Sequence, residues 1–144
     1  MRVMLADSHT QIRWALRTVI EEEPGLTLVG EVSEAQNLLS QVQSLQPDLI
    51  LLEWELPGRS NGFLAQLHAL NLDSHVIVLS SQPELRKAVL SAGAEAFVSK
   101  ADAPEQLLAT LRNLVRQRER NALRSQASLS QSLAPPSAGH SKGD

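Results

Sequence analysis

Four residues of complementary chemistry each close a short apolar run: Asp7 after Arg2 to Ala6, Glu53 after Leu49 to Leu52, Ser80 after His75 to Leu79, and Lys100 after Glu95 to Ser99. Two carboxylates, a hydroxyl and an ammonium are the parts of a phosphoryl or metal site. The carboxylates offer oxygen ligands to a hard cation such as Mg²⁺, while the lysine and hydroxyl neutralise and hydrogen-bond a phosphoryl group. Other chemistries find little support. The chain has no cysteine, which removes thiol nucleophiles, Cys-ligated zinc and disulfides. Asp7-Ser8-His9 and Asp73-Ser74-His75 carry the residue names of a hydrolase triad, but adjacent residues point in different directions and cannot line up as nucleophile, base and orienter. No strand is followed by a Gly-x-Gly-x-x-Gly or P-loop pattern, and the four histidines lack metal-ligand spacing.

Such residues converge only if one sheet brings the ends of their strands together, and the hydrophobic pattern predicts such a sheet. Short apolar runs alternate with segments of helical period, separated by turn residues. Strands are predicted at Arg2 to Ala6, Leu26 to Val32, Asp48 to Glu53, His75 to Leu79 and Glu95 to Ser99. Helices are predicted from Ser8 or His9 to Glu22, from a Ser33 cap to Leu45, through Phe63, Leu64, Leu67 and Leu70, from Pro83 to Ala92, and from Pro104 onward. The unbroken Leu49-Ile50-Leu51-Leu52 run marks a central strand buried on both faces. Five βα units with short connections imply an α/β fold, a doubly wound parallel sheet whose ligands sit at the carboxyl ends of its strands.

The units occupy residues 1–118, one domain of a chain of 144 residues. Residues 119–144 are expected to be a helix extension followed, from about Arg124, by a disordered Ser/Ala/Pro-rich tail with too few large apolar side chains to pack. Arg112, Arg116, Arg120 and Arg124 lie four apart and would form one stripe on an extended helix, either a solvated face or a contact for an acidic partner or nucleic acid. A net charge of −3 disfavours general attraction to a polyanion, and 3% aromatic content leaves little for base stacking. No apolar run is long enough to span a bilayer and no signal peptide precedes the first strand, so a cytoplasmic protein without membrane association is expected.

The segments Met4-Leu5-Ala6-Asp7, Leu49 through Pro57, Val76-Ile77-Val78-Leu79-Ser80 and Ala96-Phe97-Val98-Ser99-Lys100 resemble the signature segments of response-regulator receiver domains, particularly the LuxR-type subgroup. The resemblance covers about residues 1 to 118 in order. It implies a flavodoxin-like (βα)5 sheet with strand order 2-1-3-4-5, Ser80 and Phe97 as switch residues, and Lys100 as the family lysine. The departures bear on function. Receivers carry two adjacent acidic residues after the first strand, where this chain has Asp7 and Ser8, and their phosphoacceptor is an aspartate, where this chain has Glu53.

Glu53 is one methylene longer than aspartate, about 1.5 Å of reach, and brings about one negative charge against −1.5 to −2 for a phosphoryl group. Three readings stay open: a partial mimic of phosphorylation, a silent ion pair with Lys100, or residual phosphorylation. The metal set that the resemblance suggests is Asp7, Glu53 and Glu55, with weak or absent Mg²⁺ binding; Glu55 is equally readable as a solvated loop glutamate. The reading is a stand-alone, non-enzymatic atypical receiver of two-component signalling. Its partners would be a histidine kinase, a regulator or another signalling protein met through the fourth and fifth helices, with a homodimer compatible. No sequence-specific DNA binding is expected, because the residues after 118 are too few and polar for a helix-turn-helix module. The alternatives are a working phosphotransfer receiver and a small-ligand module using the vacated pocket.

Overall fold

A computed structural model describes residues 1–71, 73–102 and 104–133. Strands and helices alternate in the predicted order: β1 (Arg2–Ala6), α1 (Thr10–Glu22), β2 (Thr27–Val32), α2 (Ala35–Leu45), β3 (Leu49–Glu53), α3 (Phe63–Leu70), β4 (His75–Ser80), α4 (Arg86–Ser91), β5 (Ala96–Ser99) and α5 (Glu105–Leu133). The strands form one parallel sheet in the order β2-β1-β3-β4-β5, the flavodoxin-like arrangement. Strand periodicity divides the apolar residues between its two faces. Met4, Ala6, Ile50, Leu52, Val76, Val78 and Phe97 form one core with Leu38 and Val42 of α2, Phe63, Leu64 and Leu67 of α3, and Val89 of α4. Val3, Leu5, Leu49, Leu51, Ile77 and Leu79 alternate with them, and Leu16 and Ile20 of α1 are buried. Every residue of β3 is buried, as its unbroken apolar run predicts.

Several element boundaries differ from the sequence reading for local reasons. Ser33 does not cap α2: the cap position is Glu34, without a side-chain hydrogen bond. The Ala35 N–H instead donates to the Pro57 carbonyl at 2.8 Å, which ties α2 to the loop that follows β3. The segment opened by Pro83 begins as a 3₁₀ turn over Pro83–Leu85 before α4 starts. Gly93, at φ 115°, stops α4 as expected, in a conformation that side chains with a Cβ resist.

Residues 1–110 form one compact unit and the chain from Leu111 onward a second. In the second, α5 continues without a break through 118 and past Arg124 to Leu133. The composition after Arg124 predicts a tail there, but its Ser, Gln, Ala and Leu residues include no proline or glycine before Pro135. The remainder of the expected tail, 134–144, lies outside the described residues. Among the described residues no helix is long and apolar enough to cross a membrane.

Candidate functional site

The sheet register brings the four residues to one edge. Trp54 N–H donates to the Leu79 carbonyl at 2.8 Å and Lys100 N–H to the Ser80 carbonyl at 2.9 Å, so the ends of β3, β4 and β5 are locked side by side. On the other flank Asp7 N–H bonds the Val32 carbonyl at 3.1 Å. Asp7, Glu53 and Ser80 are fully buried. For Glu53 the burial is complete although it closes its strand.

The ion pair expected from strand order is present, with Lys100 Nζ 2.9 Å from Glu53 Oε1. Two neighbours of Asp7 that the sequence did not mark as partners of Glu53 complete the cradle. Ser8 donates to Glu53 Oε2 twice, from its backbone N–H and from its Oγ, both at 2.8 Å. His9 Nδ1 lies 2.9 Å from Glu53 Oε1 and 3.2 Å from Asp7 Oδ1. Burial alone would raise the Glu53 carboxyl; the Ser8 N–H, the Lys100 ammonium and the Ser8 hydroxyl together outweigh it and hold the group below the ordinary carboxylate value. Glu53 is therefore an ionised carboxylate in a closed set of donors.

Ser80 engages the second glutamate rather than the first. Its Oγ donates to Glu55 Oε2 at 2.8 Å and accepts the Gln82 N–H at 3.0 Å, with no bond to Glu53. The backbone explains this: Glu53 lies within the sheet, whereas Glu55 follows in the turn and its side chain returns over the end of β4. Glu55 is thus exposed yet bonded into the site, a third state beside the metal ligand and the solvated glutamate anticipated for it. Phe97 is buried in the core on the α2–α4 side, 5% exposed. Beyond Glu53 the loop is braced by Arg59, whose guanidinium stacks 3.9 Å from the centre of the Trp54 ring and whose Nε donates to the Trp54 carbonyl.

The donor set bears on the two chemistries weighed for this edge. Mg²⁺ requires near-octahedral oxygen ligation and keeps several waters. Here both Glu53 oxygens already accept from Ser8, Lys100 and the His9 side, and Glu55 is engaged by Ser80. Among the described residues the buried carboxylate oxygen without a hydrogen bond is Asp7 Oδ2, and it faces the Lys100 ammonium at 3.5 Å. Asp7, His9 and Glu53 do place ligand atoms within 4.8 Å of one another, but the set is mixed nitrogen and oxygen with an ammonium beside it. As arranged, these residues do not fit Mg²⁺. Nor is a hydrolase line formed: His9 does reach Asp7, despite the expectation that neighbours diverge, but Ser8 Oγ is turned to Glu53. Ser74 Oγ bonds the Asn71 carbonyl and His75 pairs with Glu95. A mostly apolar hollow of about 250 Å³ lies between α1, Leu79, Lys100 and Pro104.

Residues 3–112 match the family model of the response regulator receiver domain. The nitrate/nitrite response regulator protein NarL of Escherichia coli (strain K12) is 34% identical over 113 residues, covering 76% of this chain and 52% of that protein. Response regulator UvrY of the same organism is 27% identical over 118 residues, 79% of this chain and 54% of the relative. The chain therefore spans about half the length of these curated relatives. Among solved structures, the Salmonella typhimurium RcsB response regulator superposes with a TM-score of 0.74 at 24% identity, covering 81% of this chain and 60% of that one. A LuxR-family response regulator from Aurantimonas sp. SI85-9A1 gives 0.71 at 22% identity, covering 81% and 85%. With the fold, the strand order and the family match in agreement, the chain belongs to the response regulator receiver domains, of the LuxR/NarL type.

Proposed function

We propose that this chain is an atypical, non-enzymatic receiver in which Glu53 stands at the phosphoacceptor position and supplies a permanent negative charge there. The observation that carries this reading is the ionised, fully buried Glu53 carboxylate, gripped by Lys100 at 2.9 Å and twice by Ser8. In receivers a phosphoryl group draws in both the lysine and the strand-end hydroxyl. Here the two contacts are divided: Glu53 engages Lys100, and Glu55 engages Ser80. The pair of glutamates thus supports an active-like engagement of Lys100 and Ser80 that needs neither phosphate nor Mg²⁺. The protein would act in the cytoplasm through contacts of α4 and α5 with a kinase, a regulator or another signalling protein.

Two measurements test this. Incubation with acetyl phosphate and Mg²⁺, followed by intact-mass analysis, is expected to give no adduct; a stoichiometric gain of one phosphoryl group that disappears in Glu53→Gln would refute the proposal. Partner capture should weaken in Glu53→Gln and in Glu55→Gln if the divided mimic sets the state. Unchanged capture by both variants would leave the site a silent ion pair.

A further inference from the structure

The charge of this chain is unevenly placed. Its net charge is −3, yet between Leu111 and Leu133 it carries Arg112, Arg116, Arg118, Arg120 and Arg124 against Glu119 alone. On α5 the residues Asn113, Arg116, Gln117, Arg120, Asn121 and Arg124 fall, at 3.6 residues per turn, within an arc of about 140°. All six are exposed, and Glu119 lies outside the arc. Gln117, Arg120, Asn121 and Arg124 line one polar hollow of about 340 Å³. Among the described residues, Arg116, Arg120 and Arg124 make no ion pair. Successive arginines of this stripe are separated by about 6 Å along the helix axis.

The composition of the arc discriminates between partners. A protein partner is bound through an interface centre of apolar and aromatic side chains, with charge at the rim, and this arc has no apolar member from Asn113 to Arg124. Nucleic-acid interfaces are polar and strongly positive, and their phosphates are held mainly by arginine and lysine with help from asparagine and glutamine. We propose that this face of α5 binds the phosphate backbone of a nucleic-acid duplex, without sequence preference. None of these residues belongs to the Glu53 site, and the proposal does not depend on the function proposed for that site.

Fluorescence anisotropy of a labelled mixed-sequence DNA duplex, titrated with the full chain, tests the assignment. If three arginines neutralise phosphates, the log–log salt slope is about −2.7, so raising salt from about 0.05 to 0.2 M weakens binding about 40-fold. Replacing all three by glutamate (R116E, R120E and R124E together) should abolish binding. The corresponding triple glutamine variant, which keeps helix propensity and avoids like-charge repulsion, should bring the slope close to zero. Lys87→Glu, an exposed charge on α4, should change neither. No binding at about 0.05 M salt, where three released counterions should make it measurable, would overturn the proposal. So would binding that survives the triple glutamine change, or capture of an acidic peptide in preference to the duplex, which would make the face a protein-docking surface.

Discussion

Ser8 stands where receivers carry a second acid, and its two hydrogen bonds to Glu53 make a quantitative prediction. In Ser8→Ala the backbone N–H remains and only the 2.8 Å Oγ bond is lost. Because the acceptor is an ionised carboxylate with no exposure to solvent, the loss should cost about 1.5–3 kcal/mol at pH 7. For a chain of this size that lowers Tm by about 5–10 °C. The pH dependence separates this mechanism from ordinary packing damage. The folded Glu53 carboxyl lies below its ordinary value of 4.5, so its ionisation contributes stability that is present above 4.5 and lost as pH falls through the lower folded value. Ser8→Ala raises the folded value towards 4.5. Its deficit should therefore be full at neutral pH and shrink on acidification towards the cost of a neutral hydrogen bond, about 0.5–1.5 kcal/mol. Urea unfolding of both proteins between pH 7 and 3 measures this, with Glu53→Gln and the double variant closing a cycle. A deficit independent of pH, or a coupling with Glu53 below about 0.5 kcal/mol, would refute the argument that Ser8 holds the ionised carboxylate.

Further outcomes follow from the same structure. Lys100→Met leaves two fully buried carboxylates, Asp7 and Glu53, without their ammonium, and should cost about 3–5 kcal/mol at pH 7, less at acid pH, by urea unfolding. Gly93→Ala forces a Cβ at φ 115° and should destabilise by about 1–3 kcal/mol, with no change in the pH profile. Asn71→Ala removes the buried Nδ2 bond to the Pro47 carbonyl and should cost about 1–3 kcal/mol, read as a lower Tm by circular dichroism.

The sheet was legible because its evidence is periodic. Unbroken runs such as Val76 to Leu79 mark strands buried on both faces, the helical spacing of Leu16 and Ile20 marks the buried side of a helix, and five such units admit few topologies. The convergence of Asp7, Glu53, Ser80 and Lys100 was legible for the same reason, since strand ends in a parallel sheet share an edge. What was not legible depends on single torsions and on loop carbonyls. The Ala35 N–H is capped by Pro57, distant in sequence, so the Ser33 side chain had no role that spacing could reveal. Likewise Glu55 and Glu53 compete for Ser80, and the outcome rests on how the turn after β3 carries the second glutamate back over the sheet end.

Ser8 is the instructive case, because its type was visible but its significance depended on Glu53. With an acid at position 8, that side chain, Asp7 and Glu53 would set three carboxylates around one lysine, with no hydroxyl donor for the longer glutamate. A serine there removes one negative charge and turns a repelling neighbour into a donor. The exchange works only one way: a donor at position 8 steadies a resident carboxylate and at the same time withdraws an oxygen ligand from any cation. The two departures from the receiver pattern are therefore coupled physically. Restoring one alone, as in Glu53→Asp, should yield neither a stable cradle, since the shorter side chain draws away from Ser8, nor a complete metal site.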